Sequence, residues 1–205
     1  MPAVVTPEPA PALDDLARRA LARLAPLTFD RAESAAERDG VLRMRYECVV
    51  AEGWARPDDH PDGRERDEYD DEAVFVVSHD GDTLVGSLRL VAPTPARPLP
   101  TERDFGVRLR AAGRVLEVGR ILVAPEARRG RSHLVLGGLC ACAWLEAHAR
   151  GFDRAVSTAT PELIDFYQSL GLRISVLGPA QLHWGAMRAP ILIEGDEGSF
   201  GFLTG

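Results

Sequence analysis

The sequence predicts a single α/β domain built on a mixed, partly antiparallel central sheet with helices against its faces. Two β-rich runs, residues 73–78 and 83–91, flank an Asp80-Gly81 turn and read as a hairpin. A long apolar strand over residues 115–123 follows, after which helix-like and strand-like segments alternate. Because the opening strands are antiparallel, the sheet is not doubly wound. With 205 residues and 45% hydrophobic content, the chain suffices for one sizeable core and is short for two domains.

Residues 1–12, rich in proline and alanine, are expected to be a disordered segment ahead of one domain spanning 13–205. Leu13, Leu16, Ala17, Ala20, Leu21 and Leu24 then follow helical spacing. A second helix is expected from about Asp30 to Val50, and a proline-containing, acid-rich loop over 55–71. Beyond the hairpin, Pro93, Pro95, Pro98 and Pro100 mark a loop. Pro125 ends the long strand, and residues 133–149 carry a broad apolar helical face closed by Gly151. A strand at 154–157, a helix opened by Thr160-Pro161-Glu162 and closed by Gly171, and strands at 173–177 and 189–194 complete the pattern.

Formal net charge is −7, which argues against a general nucleic-acid binder. No apolar run is long enough to span a membrane and no signal-peptide plan opens the chain, so a cytoplasmic protein is expected. All 24 basic residues are arginine, which excludes Schiff-base or other lysine chemistry. Three cysteines make neither a disulfide framework nor a zinc spacing, and His133 and His183 lack a metal partner in the sequence. Two arginine islands, Arg103/Arg108/Arg110/Arg114 and Arg128/Arg129/Arg131, suit an acidic partner or a phosphorylated cofactor.

The chemistry-bearing signal is charge placed in apolar surroundings. Asp67 and Asp70 close the acidic loop, Arg89 interrupts Val85–Val91, and Glu117 and Arg120 interrupt the long strand. Buried charges are costly unless paired, so these residues are expected to form one compensating cluster, and such clusters mark active sites.

The order of the motifs resembles the GNAT-fold N-acyltransferases that use long-chain acyl donors: the acyl-homoserine-lactone (autoinducer) synthases, the N-acyl amino acid synthases and the exosortase-associated acyltransferases. The motifs are Arg45 followed by Trp54, Glu65-x-Asp67-x-x-Asp70, Gly86-Ser87-Leu88-Arg89, Glu117-x-x-Arg120 and Gly151-Phe152-Asp153. Leu99-Pro100-x-Glu102 and His183-Trp184-Gly185-x-x-Arg188-x-Pro190 look closer to the amino-acid acylators. Cys48, at a position where the lactone synthases carry an aromatic residue, departs from that branch.

The resemblance implies transfer of a fatty acyl group from an acyl-phosphopantetheine thioester to the amine of an amino acid, with no permanently bound cofactor or metal. S-adenosylmethionine, giving a lactone autoinducer, is the alternative acceptor, and a short-chain acyl-CoA N-acetyltransferase a further one. Ordinary acetyl-CoA members of the fold place glycines in an Arg-x-x-Gly-x-Gly loop; counted from Arg128, Arg131 and His133 occupy those positions. Acyl carrier protein is therefore the expected donor, with Arg128, Arg129 and Arg131 at its phosphate and Ile121, Leu122 and Val123 along the pantetheine.

Glu117 is expected to be the general base for the attacking amine. Three residues apart on a strand, Glu117 and Arg120 would face opposite ways unless a bulge, expected at Gly119, intervenes. Arg89 and Arg120 either hold an acceptor carboxylate or pair with Asp67 and Asp70. Arg45 joins the substrate-binding set through its motif. Trp54 and Phe105 line an acyl channel or belong to the core.

Overall fold

The computed structural model describes residues 11–109, 114–169, 171–195 and 199. The chain runs as α1 (Pro11–Arg23), β1 (Leu27–Arg31), α2 (Ala35–Ala51), β2 (Val74–Asp80), β3 (Thr83–Val91), α3 (Pro100–Phe105), β4 (Val115–Val123), α4 (Arg128–Ala149), β5 (Arg154–Ala159), α5 (Pro161–Ser169), β6 (Arg173–Val176), β7 (Gln181–His183) and β8 (Ala186–Glu194). The strands form one sheet in the order β1-β2-β3-β4-β5-β8-β6, with β7 added to β8. Every pairing is antiparallel except β4 with β5. This is the mixed, partly antiparallel sheet the sequence predicts.

Side-chain alternation divides the core between the two faces of the sheet. Leu116 and Val123 join Val76, Leu88 and Leu90 under Val135 and Leu139 of α4. Val115 and Val91 join Phe75, Val77 and Leu99 on the opposite face, under Val41 of α2. On α1, Leu13, Ala17, Ala20 and Leu24 repeat at helical spacing and pack on the α4 side. The three cysteines are unpaired, and burial pushes the thiols of Cys140 and Cys142 up to about 12, which leaves them unreactive.

Three elements differ from the sequence expectation. The second helix starts at Ala35, not Asp30. Ser34 caps it by accepting from Glu37 N–H at 3.1 Å while Glu37 accepts from Ser34 N–H at 2.8 Å, and Asp30 and Arg31 instead end β1 at the sheet edge. The proline-marked loop contains α3: Pro100 occupies a first-turn position that needs no N–H, and Glu102 accepts the Leu99 N–H at 3.1 Å. Third, α4 begins at Arg128, five residues before the expected start. Beyond these three, β7 is a strand that the sequence did not lead one to expect; it forms a hairpin with β8, which begins at Ala186, three residues before the expected start. For the N-terminal segment, residues 1–10 lie outside the described residues, and α1 already begins at Pro11.

Candidate active site

Strand β4 builds the site. It pairs with β5 only through Glu117↔Val156 and then diverges, so its edge towards β5 has no strand partner from Val118 onward. On its other side the β3 register shifts between Ser87 and Arg89, and two residues of β4, Arg120 and Ile121, stand opposite Leu88. The bulge therefore lies at Arg120, whose φ is 51°, one residue beyond the Gly119 expected from sequence. The extra residue changes the phase of alternation. Glu117 and Arg120 consequently share the face that looks towards α2 and α3.

On that face, three arginines meet three carboxylates. Arg45, from α2, pairs with Glu65 and, at 2.8 Å, with Asp70. Arg89 donates to Asp67 at 2.5 Å and to Asp70 at 2.8 Å, and Arg120 reaches Glu65 at 3.2 Å and Asp67 at 3.0 Å. Burial alone would raise the Asp70 carboxyl, but Arg45 and Arg89 hold it below its ordinary value. Asp67 is lowered in the same way by Arg89 and Arg120. Glu65, not singled out from sequence as a site residue, is 2% exposed and joins Arg45 to Arg120.

Glu117 stands outside this set of pairs. It is 6% exposed, and its carboxylate accepts the backbone N–H of Thr101 at 2.7 Å. Burial pushes its pKa up to about 7, against the smaller opposing pull of the Thr101 N–H and of Arg89 and Arg120. A carboxyl so placed exchanges its proton near neutrality, as a general base must. The donor comes from α3, the helix hidden in the proline-rich stretch.

Glu117, Gly119, Arg120, Ile121, Leu122 and Val123 line a cavity of about 780 Å³. Asp67 and Trp54 contribute from the α2 side, Arg128 and Ser132 from the start of α4, and His183, Trp184 and Arg188 from the β7–β8 hairpin. The hairpin turns on two residues, Trp184 at φ 50° and Gly185 at φ 69°, a pattern that suits a two-residue turn of the I′ kind. Gly185 is required twice over: a Cβ there would lie 2.6 Å from Trp54 Cδ1. Trp184 and Arg120 are the only non-glycine residues with positive φ among the described residues, and they stack on each other, the guanidinium 4.1 Å from the ring centroid. Strained backbone of this kind persists where surrounding structure imposes it, and it gathers at functional sites.

A second, narrow and mostly apolar cavity of about 60 Å³ lies on the α4 side of the diverging strands. Val118, Ile121 and Tyr167 border both spaces. Trp144 lines it and is held from α1, its Nε1 donating to Asp14 at 2.9 Å.

The remaining sequence-derived candidates are placed as follows. Arg45, Asp70 and Arg89 lie in the ion network and do not line the large cavity. Phe105 does not line it either; its ring meets His183 edge-on at 5.2 Å. Arg128 donates to the Val123 carbonyl at 3.0 Å and pairs with Glu52. Arg131 pairs with Asp80 at 2.6 Å, away from the cavity wall. The Arg129 side chain and Arg110 lie outside the described residues. His183, Trp184 and Arg188 were legible only as part of a motif string, and Thr101 gave no signal, because a backbone donor leaves none.

Comparison with known proteins places this arrangement. A family model described as N-acyl amino acid synthase FeeM matches residues 40–192. Among solved structures, TofI in a ternary complex with an inhibitor and MTA is similar at 21% identity, over 86% of this chain and 95% of that one, with a TM-score of 0.70. MesI, described as a CoA-dependent acyl-homoserine lactone synthase, is 26% identical over 79% and 83% of the two chains, with a TM-score of 0.62. FeeM, an N-acyl amino acid synthase from uncultured soil microbes, is 18% identical over 82% and 88%, with a TM-score of 0.61.

Proposed function

Since the chain belongs to the FeeM N-acyl amino acid synthase family, we propose that it moves a fatty acyl group from acyl carrier protein to the amine of an amino acid, with Glu117 as the base. It is an N-acyltransferase of GNAT-like fold. The observation that carries the residue-level reading is the one buried carboxyl among the described residues that has no arginine partner, set on the diverging strand at the cavity wall.

The chemistry follows from position. An ammonium acceptor loses a proton to Glu117, directly or through water, and the free amine attacks the thioester carbonyl. The unpaired β5-facing edge of β4 beyond Val118 offers backbone N–H groups for the oxyanion; one such donor contributes a factor of about 10²–10³. The thiol leaves with a proton, and the amide remains. The acyl chain passes between the diverging strands into the apolar cavity that Trp144 helps to line.

Carrier protein is favoured as donor because Arg131 and His133 stand where a coenzyme A pyrophosphate would need glycines at the start of α4. The test is to incubate the purified protein with acyl carrier protein thioesters, or with the matching acyl-CoA, and an equimolar mixture of the twenty amino acids plus S-adenosylmethionine. Mass spectrometry should find an N-acyl amino acid, formed faster from the carrier protein. A lactone product would move the acceptor to S-adenosylmethionine, and equal use of both donors would remove the carrier-protein assignment.

A further inference from the structure

We propose that Arg188 binds the acceptor's carboxylate, so that the enzyme selects amino acids over amines lacking that group. The proposal rests on the N-acyltransferase reading and deepens it.

Among the described residues four arginines line the large cavity, and three of them already have acid partners. Arg103 pairs with Glu68 and Asp104, Arg120 with Glu65 and Asp67, and Arg128 with Glu52. Arg188 has no carboxylate within ion-pair distance among the described residues, and its Nε is buried without a hydrogen-bond partner. Its guanidinium lies 5.5 Å from the Trp54 ring centroid, a contact that does not satisfy the N–H groups. Burial lowers its pKa, with only Tyr167 opposing, the mark of a cation that lacks its counter-ion.

A half-buried guanidinium whose inner Nε is cut off from water and unpartnered carries a desolvation cost that an anion in the cavity would offset. A carboxylate fits best, since its two oxygens match the planar fork. Phosphate of the donor has a separate place, because Arg128 and Ser132 line the cavity from the start of α4, whereas Arg188 lies on β8 opposite Gln181. Arg89 and Arg120, the sequence-derived alternatives for this role, are already taken by Asp67, Asp70 and Glu65. With the carboxylate on Arg188, the α-amine, one carbon away, is presented towards the rest of the cavity, where Glu117 sits.

The first measurement uses the unmodified enzyme. The amino acid acylated from the mixture is compared with its primary carboxamide and its decarboxylated amine, with acyl carrier protein thioester as donor. The amino acid should show the lower KM by about ten- to a hundredfold, the range expected for a charge-assisted pair. Arg188→Gln should raise the amino acid's KM by a similar factor and leave the KM values for carboxamide and acyl thioester unchanged, while Arg188→Lys retains part of the preference. Circular dichroism melts of both variants report folding. Equal KM values for amino acid and carboxamide in the unmodified enzyme, or an equal loss on both in Arg188→Gln, would overturn the assignment. If no amine of any kind is acylated, the N-acyltransferase reading itself falls, a result distinct from acylation without carboxylate preference.

Discussion

Arg45, Arg89 and Arg120 are buried against Glu65, Asp67 and Asp70, whereas Glu117, on the same face of the same sheet, is buried with no arginine partner. The first set pairs three cations with three anions, and its arginines hold the Asp67 and Asp70 carboxyls below their ordinary values. Glu117 instead titrates near pH 7. Paired charges hold the acidic loop against α2 and β3; the unpaired one remains free for proton transfer. Arg188, half-buried and without an acid partner among the described residues, is the cationic counterpart of Glu117.

The widest contrast should appear when one ion-network partner is removed. Arg89→Met keeps much of the volume but leaves Asp67 and Asp70 short of a cation. The expected cost is about 3–5 kcal/mol, read from urea denaturation. The pH dependence has a definite sign. Asp67 and Asp70 titrate lower when folded than unfolded, so their contribution is present above the unfolded value of about 4 and is lost as pH falls through the lower, folded value. Arg89→Met should flatten that acid limb. An unchanged stability would mean that the network is not what secures the loop.

Glu117→Gln should act in the opposite direction on stability. Its folded value of about 7 lies above the unfolded 4.5, so its contribution is full below about 4.5 and is lost as pH rises through about 7. Gln has no proton to lose, so the variant should exceed the parent in stability by up to about 3 kcal/mol at pH 8 and converge with it near pH 4. Turnover should drop by about 10²–10⁴, and the parent's kcat/KM should rise with an apparent pKa near 7. A variant both more stable and inactive would separate Glu117 from the ion network. Undiminished turnover would remove it as base.

Much of this contrast was legible in the sequence. Arg89, Glu117 and Arg120 are visible as charges inside apolar strands, and the cost of burying them forces partners nearby. The pairing itself was not legible, because Glu65 sits in a charged loop where one acid looks like the next. Ser34-x-x-Glu37 contains the signal for the α2 start, but the expected helix reaches back to Asp30, into the polar end of β1, a strand with only two apolar residues, Leu27 and Phe29. Four prolines in the stretch before β4 concealed α3, since a proline at a first helical turn and one in a loop look identical until Glu102 is seen to cap it. Arg188 is visible in the sequence only within its motif string; its missing partner, a property of the fold, is what sets it apart from the other arginines of the cavity.

Trp184 joins the two regimes, because it stacks on an arginine of the ion network while lining the cavity. Trp184→Gly loses a cation–π contact of about 0.5–2 kcal/mol, but glycine also relieves the positive φ that tryptophan holds at a cost of about 1–2 kcal/mol. The two terms oppose, so stability should move by less than about 1 kcal/mol in a thermal melt. Activity has no such compensation. Arg120 loses the ring that covers its outer face, the cavity wall opens between Trp54 and His183, and kcat/KM should fall by about tenfold through the acceptor KM. If stability fell by several kcal/mol and activity followed it, Trp184 would belong with the ion network; a loss confined to activity places the hairpin on the side of Glu117.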